Sequence, residues 1–319
     1  MKKRVLVTGG AGAIGSVLTN TLSQDPELDI VVLDNLSSGR VENIHMRPNV
    51  RLVKGGVESD EDLDLAFRSP PDVVFHLAAN FANQNSVDYP QRDLNVNGVG
   101  TLKILLRAHE CGVSRLIYTS SSCVYGYRDE PLDEKCREFS LDTPYAITKL
   151  LGEDYARFLH RHHGLPVVIL RYFNVYGPNE YPGKYRNAIA NFFYKAWRNE
   201  DIVITGTGDE TRDFNYVEDT VRATILASQV DSAVGKVFNV ASGRETAISE
   251  LVALVLRITG SRSRVVHQAR RNWDTVLRRV AAVSMAKEVL GYEAQMDLET
   301  GLRRYGEWLK RQDMNKCEW

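Results

Sequence analysis

The turn at residues 8–15 constrains this chain more than any other feature. A β-branched run, Arg4–Thr8, leads straight into Thr8-Gly9-Gly10-Ala11-Gly12-Ala13-Ile14-Gly15, and a helical pattern follows over Ile14–Ser23. Gly9, Gly12 and Gly15 form a GxxGxxG spacing. Glycine permits the tight turn and lets backbone N–H groups approach a pyrophosphate. The N-terminus of the following helix adds the positive end of its dipole. A glycine triplet alone is a weak signal. Between a strand and a helix it predicts a dinucleotide-binding turn, against the bland alternative of a plain connection.

Alternation is the second constraint. Arg4–Thr8, Ile30–Asp34, Val50–Lys54, Asp72–Leu77, Arg115–Ser120 and Val167–Tyr172 read as strands. Several lack polar alternation, as parallel strands buried on both faces do. Ile14–Ser23, Glu61–Arg68, Val99–Glu110 and Tyr145–His160 read as helices between them. Right-handed βαβ crossovers then imply an α/β class fold with a doubly wound parallel sheet. After Tyr172 the pattern breaks, and residues 174–186 read as a structured loop rich in Pro, Gly and Tyr. A helix is expected around Asn187–Arg198, with short strands at Ile202–Thr205, Phe214–Tyr216 and Val237–Val240. Ala223–Gln229 reads as helix, and the chain from Ser249 onward as mostly helical. A length of 319 residues suits about two domains. The expected division is 1–173 with 213–243 for the dinucleotide, and a smaller, interleaved α/β substrate domain of 174–212 with 244–319.

Charge and cysteines exclude other classes. Forty basic against 41 acidic residues leave a net charge of −1, which disfavours a nucleic-acid binder. No run of about 18 apolar residues exists to span a membrane. The opening MKKRVLVTGG falls short of a secretory apolar segment. Cys111, Cys123, Cys136 and Cys317 show no metal spacing, so they read as reduced thiols of a cytoplasmic protein without a metal site.

Asp34 ends the second strand, 22 residues after Gly12. A carboxylate there accepts from a ribose 2′-OH and repels a 2′-phosphate, which favours NAD over NADP. The alternatives are a strand-end cap for Asp34 and tolerance of a 2′-phosphate by Arg40. Further along, Tyr145-Ala146-Ile147-Thr148-Lys149 places a tyrosine and a lysine four apart, on one helix face. Pro144 suits the first turn, and Leu150, Leu151, Tyr155 and Phe158 supply an apolar stripe. A phenol of pKa about 10 is only about 0.1% ionised at pH 7. An ammonium about 4–5 Å away would favour the phenolate by roughly 3–4 kcal/mol at an effective dielectric near 20. Upstream, Tyr118-Thr119-Ser120-Ser121-Ser122-Cys123-Val124-Tyr125-Gly126 sits at the carboxyl end of an expected strand, where ligands bind in such folds. Ser121 or Ser122 would there bond a reacting hydroxyl.

With these residues in place, the chain resembles the extended short-chain dehydrogenases/reductases of the nucleotide-sugar epimerase and dehydratase family. TGGAGAIG, HLAA (76–79), NVNGVGT (95–101), SSSCVYG, PYAITK, RYFNVYGP (171–178), TRDFNYVED (211–219) and FNVASG (238–243) carry the resemblance over nearly the whole length. It implies a Rossmann fold, bound NAD, Tyr145 as base, Lys149 as its activator and ribose ligand, and Ser121 with Ser122 at the reacting hydroxyl. It implies cofactor contacts at Gly9, Gly12, Ala13, Ile14 and Gly15, then at Asp34, Asn35 and Ser38. Further contacts are implied at Gly56, Val57, Leu77, Ala78, Ala79, Asn97 and Tyr172, with Asn97 also holding the active-site helix. Asn174, Asn187, Arg212 and Arg271 are implied around substrate phosphates, with Ile204 as a base-stacking edge. Arg186 or Lys184 would meet a sugar carboxylate, or be plain loop charges. The helices Val99–Glu110 and Tyr145–His160 imply a homodimer through a four-helix bundle.

Relatives begin by oxidising C4 of a hexose and then diverge. Dehydratases carry Asp-Glu after the catalytic Ser/Thr, where this chain has Ser122 and Cys123. A hydroxyl and a thiol replace a carboxylate acid/base pair poorly. The expected function is therefore an NAD-dependent 4-epimerase of a UDP-hexose or UDP-hexuronate. The alternatives are a UDP-glucuronate decarboxylase, a sugar-nucleotide reductase, and, from another class, a non-catalytic dinucleotide sensor or RNA-associated scaffold. One departure stands out: Gly55-Gly56-Val57 lacks the Asp that relatives place on the adenine, leaving Glu58 or backbone to serve. His160–His163 reads as a helix end stopped by Gly164, His76 as a packed strand residue, and Cys123 as space-filling.

Overall fold

The computed structural model describes residues 2–136 and 141–313, so Cys317 lies outside the described residues. The first half alternates β1 (Lys3–Thr8), α1 (Ala13–Leu22), β2 (Leu28–Asp34), β3 (Val50–Lys54), α2 (Asp60–Ala66) and β4 (Val73–His76). It continues with α3 (Thr101–Glu110), β5 (Arg115–Ser121), α4 (Pro144–His163) and β6 (Val167–Tyr172). Then come α5 (Ala188–Trp197), α6 (Val217–Gln229), β7 (Val237–Val240), α7 (Ile248–Thr259) and α8 (Leu298–Lys310). Seven strands form one parallel sheet in the order β3-β2-β1-β4-β5-β6-β7. This is a doubly wound, Rossmann-like sheet. The strand order reverses between β1 and β4, and the crevice that opens there is the ligand site of such sheets.

The unbroken apolar runs are explained by burial on both faces. Val5, Val7, Ile30, Val32, Phe75, Ile117 and Leu170 share one core with α1 and α6. Their neighbours Leu6, Val31, Leu33, Val74, Leu116, Tyr118 and Ile169 share the other with α2, α3 and α4. Successive side chains of a strand point to opposite faces, so each run feeds two cores. A third core joins α5, α7 and α8 around Phe193, Ile204, Leu251 and Tyr305.

Beyond Ser249 the chain is not uniformly helical: Val265–Gln268 is a strand, parallel to Ile202–Thr205. Its partner lies some sixty residues away, so no local pattern announces it. Helix α6 begins at Val217, earlier than expected. Upstream of α3 the helical path runs back through Leu94–Gly100, a π-helical stretch that carries Asn97. No helix among the described residues is long and apolar enough to cross a membrane.

Helix α4 holds the largest surprise. Thr143 caps it by accepting from the Ala146 N–H, Pro144 occupies its first turn, and Gly164 ends it in the left-handed conformation at φ 72°. Its buried face is polar, with Tyr145, Thr148, Lys149 and Glu153 beside Gly152 and Ala156. The apolar residues Ile147, Tyr155 and Phe158 point to the exposed side. The stripe read from the sequence therefore does not face the sheet. Gly152 is what lets the helix lie so close, since a Cβ there would sit 2.2 Å from the Tyr118 hydroxyl.

Candidate active site

A cleft of about 460 Å³ runs along the carboxyl ends of the strands, from the glycine turn to the loops beyond β6. At one end, β1 delivers Gly9 with φ 70°, where a Cβ would lie 2.7 Å from the Ala78 backbone nitrogen. A Cβ on Gly15 would lie 2.1 Å from the Gly9 carbonyl oxygen. Helix α1 starts at Gly12 with no side-chain cap, so its first N–H groups are left for a ligand. Gly9, Gly12, Ala13, Ile14 and Gly15 all line the cleft. The turn is held from behind by Asp34, whose carboxylate accepts from the Ala11 and Leu36 N–H groups, each at 2.8 Å. Burial raises the Asp34 pKa, and the N–H groups of Leu36, Ala11 and Gly12 oppose that shift. Asp34 thus lines the cleft and also serves as a backbone tie, two readings that the sequence left as alternatives.

Asn35, Ser38, Gly56, Val57, Leu77, Ala78, Ala79 and Tyr172 line the same end. The Glu58 carboxylate lies against Gly56, where the aspartate is missing. A Cβ on Gly56 would lie 2.6 Å from both Glu58 carboxylate oxygens, and Glu58 lines the cleft. Asn97 does not line it. Fully buried, it accepts from the Asn80 N–H at 2.8 Å and donates to Asp93 at 2.8 Å. Asp93 in turn accepts from Thr148 of α4 at 2.6 Å. Asn97 therefore holds the segment after β4 to the helix, and its expected place among cofactor contacts is corrected. His76 also sits behind the cleft, between the Thr8 and Thr101 hydroxyls at 2.7 and 2.9 Å. Burial and then Lys149 push its pKa down to about 3, so it is neutral.

At the centre, β5 and α4 bring Ser121, Ser122, Tyr145 and Lys149 together on the cleft floor. Ser121 hydrogen-bonds the Tyr145 phenol and accepts from the Cys123 N–H at 3.2 Å. Lys149 donates from Nζ to the Thr119 carbonyl at 2.9 Å and lies 5.8 Å from the Tyr145 ring centre. Burial pushes the Lys149 pKa down to about 8. Burial pushes the phenol up, as do Cys123 and Asp93, while Ser121 alone opposes them. The expected lowering of Tyr145 by Lys149 is not met in this structure: the ammonium is spent on a carbonyl, and desolvation wins. Behind them Glu153 accepts from Ser120 at 2.6 Å and from Arg171 at 2.8 and 2.7 Å. Burial raises the Glu153 carboxyl, yet Arg171 outweighs it and holds the pKa low. This buried pair locks β5, β6 and α4 in register.

The far end is cationic. Asn174, Asn187, Arg212 and Arg271 line it as expected. Burial, and then Arg279, push Arg212 down to about 10. Ile204 does not belong here: it is 1% exposed and packed in the third core, so it offers no stacking edge. Arg186 donates to the Ser38 carbonyl at 3.2 Å, and Lys184 lies 3.9 Å from Asp88. Both line the cleft, so these contacts hold them beside the site without excluding them from it. Together with Asn179, which donates to Ser16 at 2.8 Å, and Tyr181, which lies under Arg40 at 3.7 Å, Arg186 straps the 177–187 loop across the dinucleotide end. Arg40 stacks on that ring and does not reach toward Asp34's ribose position. Trp273, Asp274 and Arg279 also line the far end, and sequence reasoning missed them. The RRNWD and LRR runs were the available signal, but nothing local says which arginine turns inward. Cys111, Cys123 and Cys136 are free thiols, and no metal-ligand cluster occurs among the described residues.

The sequence profile of the NAD dependent epimerase/dehydratase family matches residues 5–241. A putative UDP-glucose 4-epimerase of Methanocaldococcus jannaschii is 33% identical over 310 residues, covering 96% of this chain and 98% of that one. The structure of an epimerase from Methanothermobacter thermautotrophicus superposes with a TM-score of 0.96 at 43% identity, covering 100% of this chain and 96% of that one. UDP-glucose 4-epimerase of Thermotoga maritima, solved with UDP-glucose, gives 0.91 at 36% identity, covering 97% and 99%. The chain belongs to the NAD dependent epimerase/dehydratase family.

Proposed function

We propose that this chain is an NAD-dependent 4-epimerase that interconverts UDP-hexoses, neutral or uronic, through a 4-keto sugar. The observation that carries the reading is the floor of the cleft: Ser121, Tyr145 and Lys149 converge, with a hydroxyl and a thiol at 122 and 123 in place of carboxylates. The glycine cradle and Asp34 fit NAD, which would supply the acceptor for the C4 hydride and the donor for its return to the opposite face of the sugar. Tyr145 takes the C4 hydroxyl proton as the bond to hydride breaks, and gives it back as the alcohol re-forms. Ser121 holds that oxygen in place. Burial alone leaves Tyr145 protonated, so the base form depends on positive charge at the floor. Lys149, with a pKa near 8, keeps most of its charge at pH 7. No net redox change occurs, and the 177–187 strap supports retention of the cofactor between turnovers.

Residues 1–173 with 213–243 would hold the cofactor, and 174–212 with 244–319 the nucleotide sugar, in the cytoplasm. The outward Ile147, Tyr155 and Phe158 of α4 adjoin exposed Leu94, Val99 and Leu106, an apolar face that suits a second copy in a four-helix homodimer. Light scattering at micromolar concentration should report a dimer; a monomer removes that part of the proposal. The main test is Tyr145→Phe. Interconversion of UDP-sugars, followed by NMR, should vanish while NAD binding remains. Full activity in that variant refutes the mechanism.

A further inference from the structure

The far end of the cleft holds more cation than a diphosphate requires. Arg212, Arg271 and Arg279 line it. Arg212 donates to the Thr211 carbonyl at 2.7 Å and reaches Asp274 at 3.7 Å. Arg271 lies over the Trp273 ring. Arg279 has no comparable partner. It is 7% exposed, its Nε–H meets no acceptor, and no carboxylate pairs with it among the described residues. Its side-chain contact is Nη1 to the Cys123 sulfur at 3.6 Å, and a thiol is a weak acceptor. A guanidinium stays charged at any working pH, and a buried charge without a counterion is costly to keep. The crowding is visible at Arg212, whose pKa Arg279 depresses. A ligand anion would offset this cost, because the fold itself does not.

The position of Arg279 says which anion. Cys123 lies two residues after Ser121, whose hydroxyl bonds the Tyr145 phenol and accepts from the Cys123 N–H at 3.2 Å. Asn83 donates to the same sulfur at 3.6 Å, and the Thr143 cap of α4 donates to Asn83 at 3.0 Å. Arg279 thus joins the cationic end of the cleft to its centre, through the residue next to Ser122. Arg186 and Lys184, the other candidates for an acidic sugar group, are engaged with Ser38 and Asp88. We infer that Arg279 is a specificity-determining residue that pairs with a carboxylate on the hexose, so that the preferred substrate is a nucleoside-diphosphate hexuronate. The planar fork of donors suits a carboxylate better than a hydroxyl. This inference rests on the 4-epimerase reading above.

The test offers UDP-glucuronate and UDP-glucose separately to the protein as purified, with saturating NAD, and follows C4 inversion by proton NMR. Wild type should favour the hexuronate by about 100-fold in kcat/KM, the scale of a buried polar partner made or lost. Arg279→Met should lower the ratio of kcat/KM on UDP-glucuronate to that on UDP-glucose by about that factor. Arg279→Lys should restore part of the hexuronate rate. Binding of UDP alone, by calorimetry, should be unchanged in Arg279→Met, which also shows that the variant is folded. Equal losses on both sugars, or weakened UDP binding in a folded variant, would assign Arg279 to the diphosphate and overturn the inference. Wild-type turnover of UDP-glucose but not UDP-glucuronate overturns it while leaving the epimerase reading intact. Turnover of neither sugar removes both.

Discussion

The two ends of the cleft are built on opposite terms. At the dinucleotide end Gly9 and Gly15 are closed on by backbone, and the Asp34 carboxylate spends its oxygens on N–H groups of the turn and the adjoining loop. At the substrate end the buried Asn174 Oδ1 and the Arg279 Nε–H lack hydrogen-bond partners. The first end ties its turn with its own groups, which contributes to stability, and leaves only the first N–H groups of α1 for a ligand. The second stores unsatisfied polar groups, so it costs stability and gains it back on binding. Substitutions should therefore act in opposite directions at the two ends.

Gly15→Val should break the dinucleotide end most completely. Its Cβ would collide with backbone at 2.1 Å, which no side-chain movement relieves. A loss of about 4 kcal/mol or more in denaturant unfolding, with no detectable NAD binding, is expected. Asp34→Ala should come next, at about 3 kcal/mol, because two backbone N–H groups lose their acceptor. The same variant should also lose preference for NAD over NADP in cofactor titrations; an unchanged preference would reduce Asp34 to a structural tie.

Lys149→Met, at the junction of the two ends, should change sign. The Lys149 pKa falls from 10.5 to about 8 in the folded chain. The unfolded chain then binds more protons between those values, so wild-type stability rises with pH across that window. Below about pH 8 the buried charge costs about 3 kcal/mol, against about 1 kcal/mol from the hydrogen bond to Thr119. The variant should be more stable than wild type by about 2 kcal/mol at pH 7, an advantage that shrinks from pH 8 to 10.5. It should be inactive throughout. A gain that did not vary with pH would mean Lys149 is not the titrating group. Arg212→Met should have the smallest effect on folding, a gain within about 1 kcal/mol, while UDP affinity measured by calorimetry falls about 10–100-fold. A loss of stability there would contradict the contrast between the ends.

Legibility in the sequence followed the same division. The strands of the sheet, the glycine turn, Asp34 and the Ser121–Tyr145–Lys149 set were readable because each depends on short-range periodicity or on residues a few positions apart. Helix α4 shows the limit. Its first turn, its Gly164 stop and its apolar stripe were legible, but that Thr148 and Glu153 join Tyr145 and Lys149 on the buried side was not. Ile204 looked like a ligand edge because short strands near a loop often are, and only the third core shows it buried. Arg186 sat in the right loop but turned to Ser38, a contact across 148 positions.

The chain order of strands and helices and the glycine spacing were legible in the sequence alone, because backbone sterics and burial periodicity act locally. Which arginine is buried in the cleft wall without a carboxylate partner was decided only by the tertiary structure. Arg279 meets Cys123 across 156 residues, and its missing counterion is a property of everything folded around it. A charge is identified by its residue type, but whether it is compensated depends on neighbours that long-range packing alone supplies.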